Sequence, residues 1–459
     1  MKKLAIFYSI VCFLALCLTL PALADNSNLF SRVQEHRLAN GLTVLLLPEA
    51  RAPIVGVQIW YQVGSRHEVL GKTGLSHLLE HLMFRGTEKY GPKVFSRLVQ
   101  QAGANNNAFT SKDYTAYFET GPKSSLRLFL ELEADRMRNL TLSEDLFRTE
   151  QQVVVEERRL RTEDDPVNSL YEETVATAFK AHPYQWPVIG WMHDVASLQL
   201  ADLRQHYDRY YQPNNATLVV VGDIDPEATL QAIQETFGKI PKGPDPPPWR
   251  ALEPPQQGER RTVLSREAQL PAVFMAYHVP NLTDADAYPL EVLSLILAQG
   301  RSSRLHRRLV YEAKVALDAG AEYEFATASP SLFVFYAQPL PGKSLTGVEQ
   351  LLEAEIDKIK NRPVSAEELT KAKNQTEAAF IMGQDSLFYR GMLLGRYQTI
   401  GSWQKLHDII PGIRAVTAAD VQRVAQKYLV KNNRTVGILN PLPPTRPTTE
   451  RFVPHEQVR

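Results

Sequence analysis

Cysteine is nearly absent: the 459 residues hold two, Cys12 and Cys17, both among the first 24. The rest of the chain can form no disulfide, and a metal site there has only His, Asp and Glu to draw on. Neither sign of charge is in excess, with 51 basic and 51 acidic residues. That balance argues against nucleic acid or an anionic membrane as the main partner. Long apolar runs are missing after the first 24 residues, so no later segment reads as a bilayer span. Those residues are the exception. Lys2 and Lys3 precede an apolar run from Leu4 to Leu20, and Ala22-Leu23-Ala24 follows as a cleavage site. The segment reads as a secretory signal, with a retained anchor as the rival reading. Cys17 follows Leu16, not the small residue that precedes a lipidated cysteine. Removal of the signal leaves 49 basic against 51 acidic residues and an exported chain, periplasmic or secreted.

About 435 mature residues suit two domains better than one. Seven prolines between Ile240 and Pro255, including Pro246-Pro247-Pro248, mark a stiff, extended connector. This places a first half at 25–239, a linker at 240–255 and a second half at 256–459. The halves repeat each other. At an offset of 218 residues, Asp202 matches Asp420, Tyr210 matches Tyr428, Asn214-Asn215 matches Asn432-Asn433, and Thr217 matches Thr435. Leu130 to Asp135 and Ser143 match Leu352 to Asp357 and Ser365 at an offset of 222. The chain is therefore read as a tandem duplication of a unit of roughly 215 residues.

Within the first half, His36 to Leu47 with Asn40-Gly41 at its centre is a hairpin signal. Ile54 to Val63 reads as a strand, helical patterns cover Leu126 to Asn139 and Ser143 to Glu163, and Thr217 to Val221 closes the half. Such mixed order predicts an α+β fold: two homologous sandwich halves, each a mainly antiparallel sheet with helices on one face.

The most informative residues are His77-Leu78-Leu79-Glu80-His81. On a helix, positions i, i+3 and i+4 share one narrow face, so two imidazoles and a carboxylate project together. This is the inverted form of the His-Glu-x-x-His zinc motif. Two His would ligate Zn²⁺, Glu80 would act on a zinc-bound water, and a third protein ligand must come from elsewhere. A second helix, with Ser143 as its N-cap, carries Glu150 and Glu157 on one face; either could complete the site while the other supports it.

These segments resemble the pitrilysin/insulysin family of inverted zinc metallopeptidases, most closely its short members related to mitochondrial processing peptidase. The family's Glu-x-x-Val-x-x-x-Glu stretch stands here as Glu150-Gln151-Gln152-Val153-Val154-Val155-Glu156-Glu157. That register implies Glu157 as third ligand, Glu150 as helper carboxylate and one Zn²⁺ per chain. Gly103 to Tyr117, His182-Pro183-Tyr184 and Tyr211 to Ala216 are similar as well. By the resemblance the chain is a zinc metalloendopeptidase with Glu80 as general base, and Asn105 to Phe109 forms an edge strand that pairs with extended peptides. Asn107, Ala108 and Phe109 are its expected substrate contacts.

The second half has no His-x-x-Glu-His, and with the alignment carried one residue on, to an offset of 223, Glu157 and Glu150 fall opposite Phe380 and Lys373. In many members this half carries an Arg and a Tyr that touch substrate; here those positions hold Val310 and Leu317. Arg304 and Tyr311 have the right spacing in the wrong register. The resemblance therefore implies the zinc-bearing subunit of a pair, with a homologous partner supplying Arg and Tyr, or a self-dimer. A non-proteolytic scaffold subunit and a peptide-binding module of the same fold are the alternatives.

Overall fold

The computed structural model describes residues 30–248 and 251–443. The expected signal at 1–24, with both cysteines, lies outside them. Two sheets organise the chain. The first contains β1 (Gln34–Arg37), β2 (Thr43–Pro48), β3 (Ile54–Tyr61), β4 (Asn105–Thr110), β5 (Thr115–Pro122) and β6 (Ala216–Gly222). The second contains β7 (Arg260–Glu267), β8 (Ala272–Val279), β9 (Ala316–Tyr323), β10 (Ser331–Pro339) and β11 (Arg434–Leu442). Strand orders are β1-β2-β6-β3-β5-β4 and β7-β11-β8-β10-β9. Among the described residues, only the β2/β6 and β7/β11 pairs are parallel, and they occupy matching places in the two sheets.

Each sheet buries alternate residues against helices of its own half. Val44, Leu46, Val55, Val57 and Ile59 form one core with the helices that follow them in sequence, and Val273, Met275, Phe333 and Phe335 form its counterpart. The opposite faces are apolar too, and the halves exchange helices to cover them. Leu45, Leu47, Trp60, Val219 and Val221 pack under Leu393, Leu394 and Tyr397, on the helix Leu387–Ile400 of the second half. In return Leu170, Val175 and Ala178, on the helix Pro166–Ala178, cover Ala272, Phe274, Leu332 and Val334 of the second sheet. A fully buried aliphatic or aromatic side chain is worth about 1.5–3 kcal/mol, so neither half leaves its second face to water. The two helical repeats seen in sequence appear as Leu126–Arg138 with Glu144–Arg158, and Leu345–Asn361 with Ala366–Gly383. Residues 241–248 run without helix or strand, tied to the first half where Gly243 donates to Asn214 and Asn214 donates to the Pro244 carbonyl. Among the described residues, no helix is long and apolar enough to cross a membrane.

Candidate metal centre

The motif helix is Leu75–Leu82, and its placement follows from a leucine stripe. Leu75, Leu78, Leu79 and Leu82, at i, i+3, i+4 and i+7, are all buried, which turns His77, Glu80 and His81 to the other side. Eight residues make a marginal helix alone, so its ends are fastened. Gly74 enters at φ +91°, and the buried Glu68 carboxylate accepts the Gly74 and Ser76 N–H groups at 2.7 Å each. Ser76 Oγ meets His206 Nε2 at 3.1 Å.

The helix Glu144–Arg158 packs against it. Ser143 caps its start, accepting from the Leu146 N–H, and Gln151 donates to the Val195 and Leu198 carbonyls. Glu150 and Glu157 both face the motif. His77 Nε2 lies 3.8 Å from Glu157 Oε1, and His81 Nε2 lies 3.3 Å from Glu157 Oε2. One donor atom from each of His77, His81 and Glu157 falls within 4.8 Å of the others, the one such trio of His, Asp or Glu among the described residues. Glu150 stands behind it: its Oε2 is 3.4 Å from His81 Nδ1, and its other oxygen pairs with Arg85.

Burial alone would depress His81, but hydrogen bonds to Glu150 and Glu157 outweigh it and hold the imidazole up at about 9. Burial, reinforced by the neighbouring His81, pushes His77 down to about 4. The hydrogen bond with His81 keeps Glu157 below the ordinary carboxylate range. Glu150 is also low, because His81 and Arg85 overcome the effect of burial. Glu80 moves the other way: burial raises its carboxyl, although Thr110 Oγ1 donates to it at 2.5 Å. Two carboxylates beside the imidazoles favour charge, while the third is biased toward holding a proton.

β4 is the outer strand of its sheet and pairs with β5 alone. Asn105 and Asn107 are exposed on it, and Ala108 and Phe109 are half-buried. Phe109 braces the strand edge-on against Trp60, with ring centroids 5.5 Å apart. Thr110, its last residue, brings the strand to Glu80. In the second half, Val310 is half-buried and Leu317 is exposed on β9. Arg304 makes a two-pronged ion pair with Glu368 at 2.6 and 2.7 Å, a structural contact.

Sequence reasoning passed over Thr110, Arg85 and Arg161. Arg161 follows Glu157 by four and meets it at 2.9 Å, so helix spacing was the available signal there, whereas Arg85 lies past the end of the motif helix and reaches Glu150 on another helix. Thr110 reaches Glu80 only through the strand's register against the helix.

Residues 43–190 match the family model of insulinase, peptidase family M16, and residues 197–376 match the peptidase M16 inactive domain. The zinc protease PqqE of Helicobacter pylori is 33% identical over 431 residues, covering 93% of this chain and 97% of that protein. A protease structure from Helicobacter pylori superposes with a TM-score of 0.86 at 33% identity, over 89% of this chain and 99% of that one. The periplasmic protease PqqL of Escherichia coli shares the fold, with a TM-score of 0.74 at 21% identity, over 89% of this chain and 47% of that one. The chain belongs to the M16, or insulinase, family of peptidases.

Proposed function

We propose that the chain is a zinc-dependent endopeptidase acting on extended or unstructured peptides. The observation that carries this reading is the convergence of His77, His81 and Glu157, donor atoms within 4.8 Å, beside Glu80 and the open edge of β4. The donor set suits zinc: two imidazole nitrogens and one carboxylate oxygen, with a position left over. It also lacks soft sulfur ligands. Glu150 would accept from His81 Nδ1 and keep its proton there, so that zinc would displace the proton on Nε2. Zinc, when bound, would supply Lewis acidity toward a water and a peptide carbonyl.

The remaining work falls to side chains and backbone. Asn107, Ala108 and Phe109 would align an extended peptide on β4 through main-chain hydrogen bonds, so recognition is broad. Glu80 would take a proton from the attacking water and return it to the leaving amine; a carboxyl raised by burial is suited to both steps. Val310 and Leu317 offer substrate neither charge nor hydroxyl, which supports a second subunit that supplies an Arg and a Tyr. That Escherichia coli PqqL is about twice this chain's length fits a paired arrangement. The leader and that periplasmic relative support export. The test is a mixed peptide library incubated with the zinc-loaded mature chain and with Glu80→Gln, read by mass spectrometry. Cleavage by the wild type alone supports an autonomous enzyme. No cleavage with zinc bound supports the missing partner, and equal cleavage by both overturns the role of Glu80.

A further inference from the structure

Two apolar side chains flank Glu157 and face water. Val153, on the helix Glu144–Arg158, is 44% exposed, and Leu160, on the turn that follows, is 69% exposed. Val153 precedes Glu157 by four residues and Leu160 follows it by three. Both therefore stand about one helical turn from that carboxylate, on its own side of the helix. With Gln152, Glu156, Glu157 and Arg161 they line an open pocket of about 510 Å³.

The chain leaves Leu160 outside while it buries Arg158, whose guanidinium turns inward to Glu172 at 2.8 and 2.9 Å. An arginine inside and a leucine outside, two residues apart, is the reverse of the usual preference. The reversal comes where the α-helix passes into a π turn, Arg159–Glu163, directly after Glu157. Single π turns of this kind gather at functional sites. The charges around the pocket are matched among themselves: Glu156 with Arg159 at 2.6 Å, and Glu157 with Arg161 at 2.9 Å. What stays open is hydrocarbon, so the pocket suits an apolar group and not a charged one.

Its position selects the occupant. The motif helix touches both neighbours: His81 meets Glu157 on one, and Glu80 meets Thr110 of β4 on the other. The pocket and the open strand edge therefore flank the trio of His77, His81 and Glu157. A peptide laid along β4 with a carbonyl at the trio has a neighbouring side chain within reach of Val153 and Leu160. We propose that these two residues form a specificity pocket for a leucine-sized apolar side chain next to the scissile bond, whose place at the trio rests on the peptidase reading above. The pocket adds a side-chain preference to backbone recognition along β4.

The test uses two unstructured peptides of glycine, serine and asparagine that differ at one central residue, leucine or serine. Both are titrated by calorimetry into the zinc-loaded chain carrying Glu80→Gln, and both are digested with the wild-type chain. The leucine peptide should bind tighter by about tenfold or more, and cleavage should fall beside the leucine. Val153→Ser with Leu160→Ser, both at exposed positions, should erase the preference and scatter the cuts, with bound zinc unchanged. Met382→Ser, at an exposed apolar position of the second half, should leave the preference as it was. Equal affinities for the two peptides, a preference that survives the double substitution, or cuts unrelated to the leucine would overturn the proposal. A double substitution that changes the oligomeric state and spares the preference would also overturn it, and would mark the strip as the seat of a second subunit. If neither peptide is cut, activity of the isolated chain is what fails. Leucine-selective binding that depends on Val153 and Leu160 would then still uphold the pocket, and its absence would overturn it.

Discussion

His81 Nδ1 and Glu150 Oε2 lie 3.4 Å apart, with Glu150 2% exposed and held from behind by Arg85. The contact holds the Nδ1 proton in place, so the proton a metal would displace from His81 is the one on Nε2, which faces Glu157. Glu150→Gln should therefore weaken zinc binding by about 10- to 100-fold while the fold persists. Competition against a chelator of known affinity, with far-ultraviolet circular dichroism as the control, checks both halves of the statement.

Glu80 follows His77 by three residues and precedes His81 by one, but it is tied to Thr110 and lies outside the candidate trio of His77, His81 and Glu157. Glu80→Gln should keep zinc and lower turnover by roughly 10²- to 10⁴-fold. Thr110→Val, which removes the hydroxyl donor, should also leave zinc in place and reduce turnover by less. Zinc analysis beside peptide hydrolysis separates these effects from loss of metal.

Gly74 begins the motif helix in the left-handed region, where side chains are rarely accommodated. A Cβ there would stand 2.6 Å from the Ile189 carbonyl oxygen and 2.7 Å from Val195 Cγ2. Gly74→Ala should cost about 1–3 kcal/mol of stability and weaken zinc binding, because the helix would have to shift. Chemical denaturation of the metal-free chain measures the first effect alone.

His206 is buried against Ser76, and burial pushes its pKa down to about 3. The folded imidazole stays neutral where the unfolded one, near 6.5, takes up a proton. The unfolded state then binds more protons, so stability falls as pH drops below about 6.5. Between about pH 7 and about pH 5 this group should remove about 2 kcal/mol. His206→Asn should show a shallower loss over the same interval, read as the difference between denaturant midpoints at the two pH values.

The parts of the fold legible in sequence were those encoded locally. The leucine stripe at Leu75, Leu78, Leu79 and Leu82 turns the motif outward by helix periodicity alone, and the Asn40-Gly41 turn sets the β1/β2 hairpin. The duplication was visible because matching residues recur at nearly constant offsets. The exchange of helices was not, since a buried second sheet face looks the same whichever half covers it. Trp60 beneath Leu394 is an example: both are plainly core residues, and only the tertiary fold pairs them. At the candidate site, His77, Glu80 and His81 follow from spacing within one helix. Bringing Glu157 within 3.3 Å of His81 depends on how two helices cross, and that came from the family resemblance.

On the proposed assignment His77, His81 and Glu157 hold the metal while Glu80 does not. Equilibrium zinc binding to the intact chain, His81→Ala, Glu157→Gln and Glu80→Gln tests it directly. Wild type and Glu80→Gln should each bind one zinc per chain at similar affinity, with binding weakened by at least about tenfold in the other two. Zinc retained at full affinity by His81→Ala or Glu157→Gln, or lost from Glu80→Gln, would contradict it.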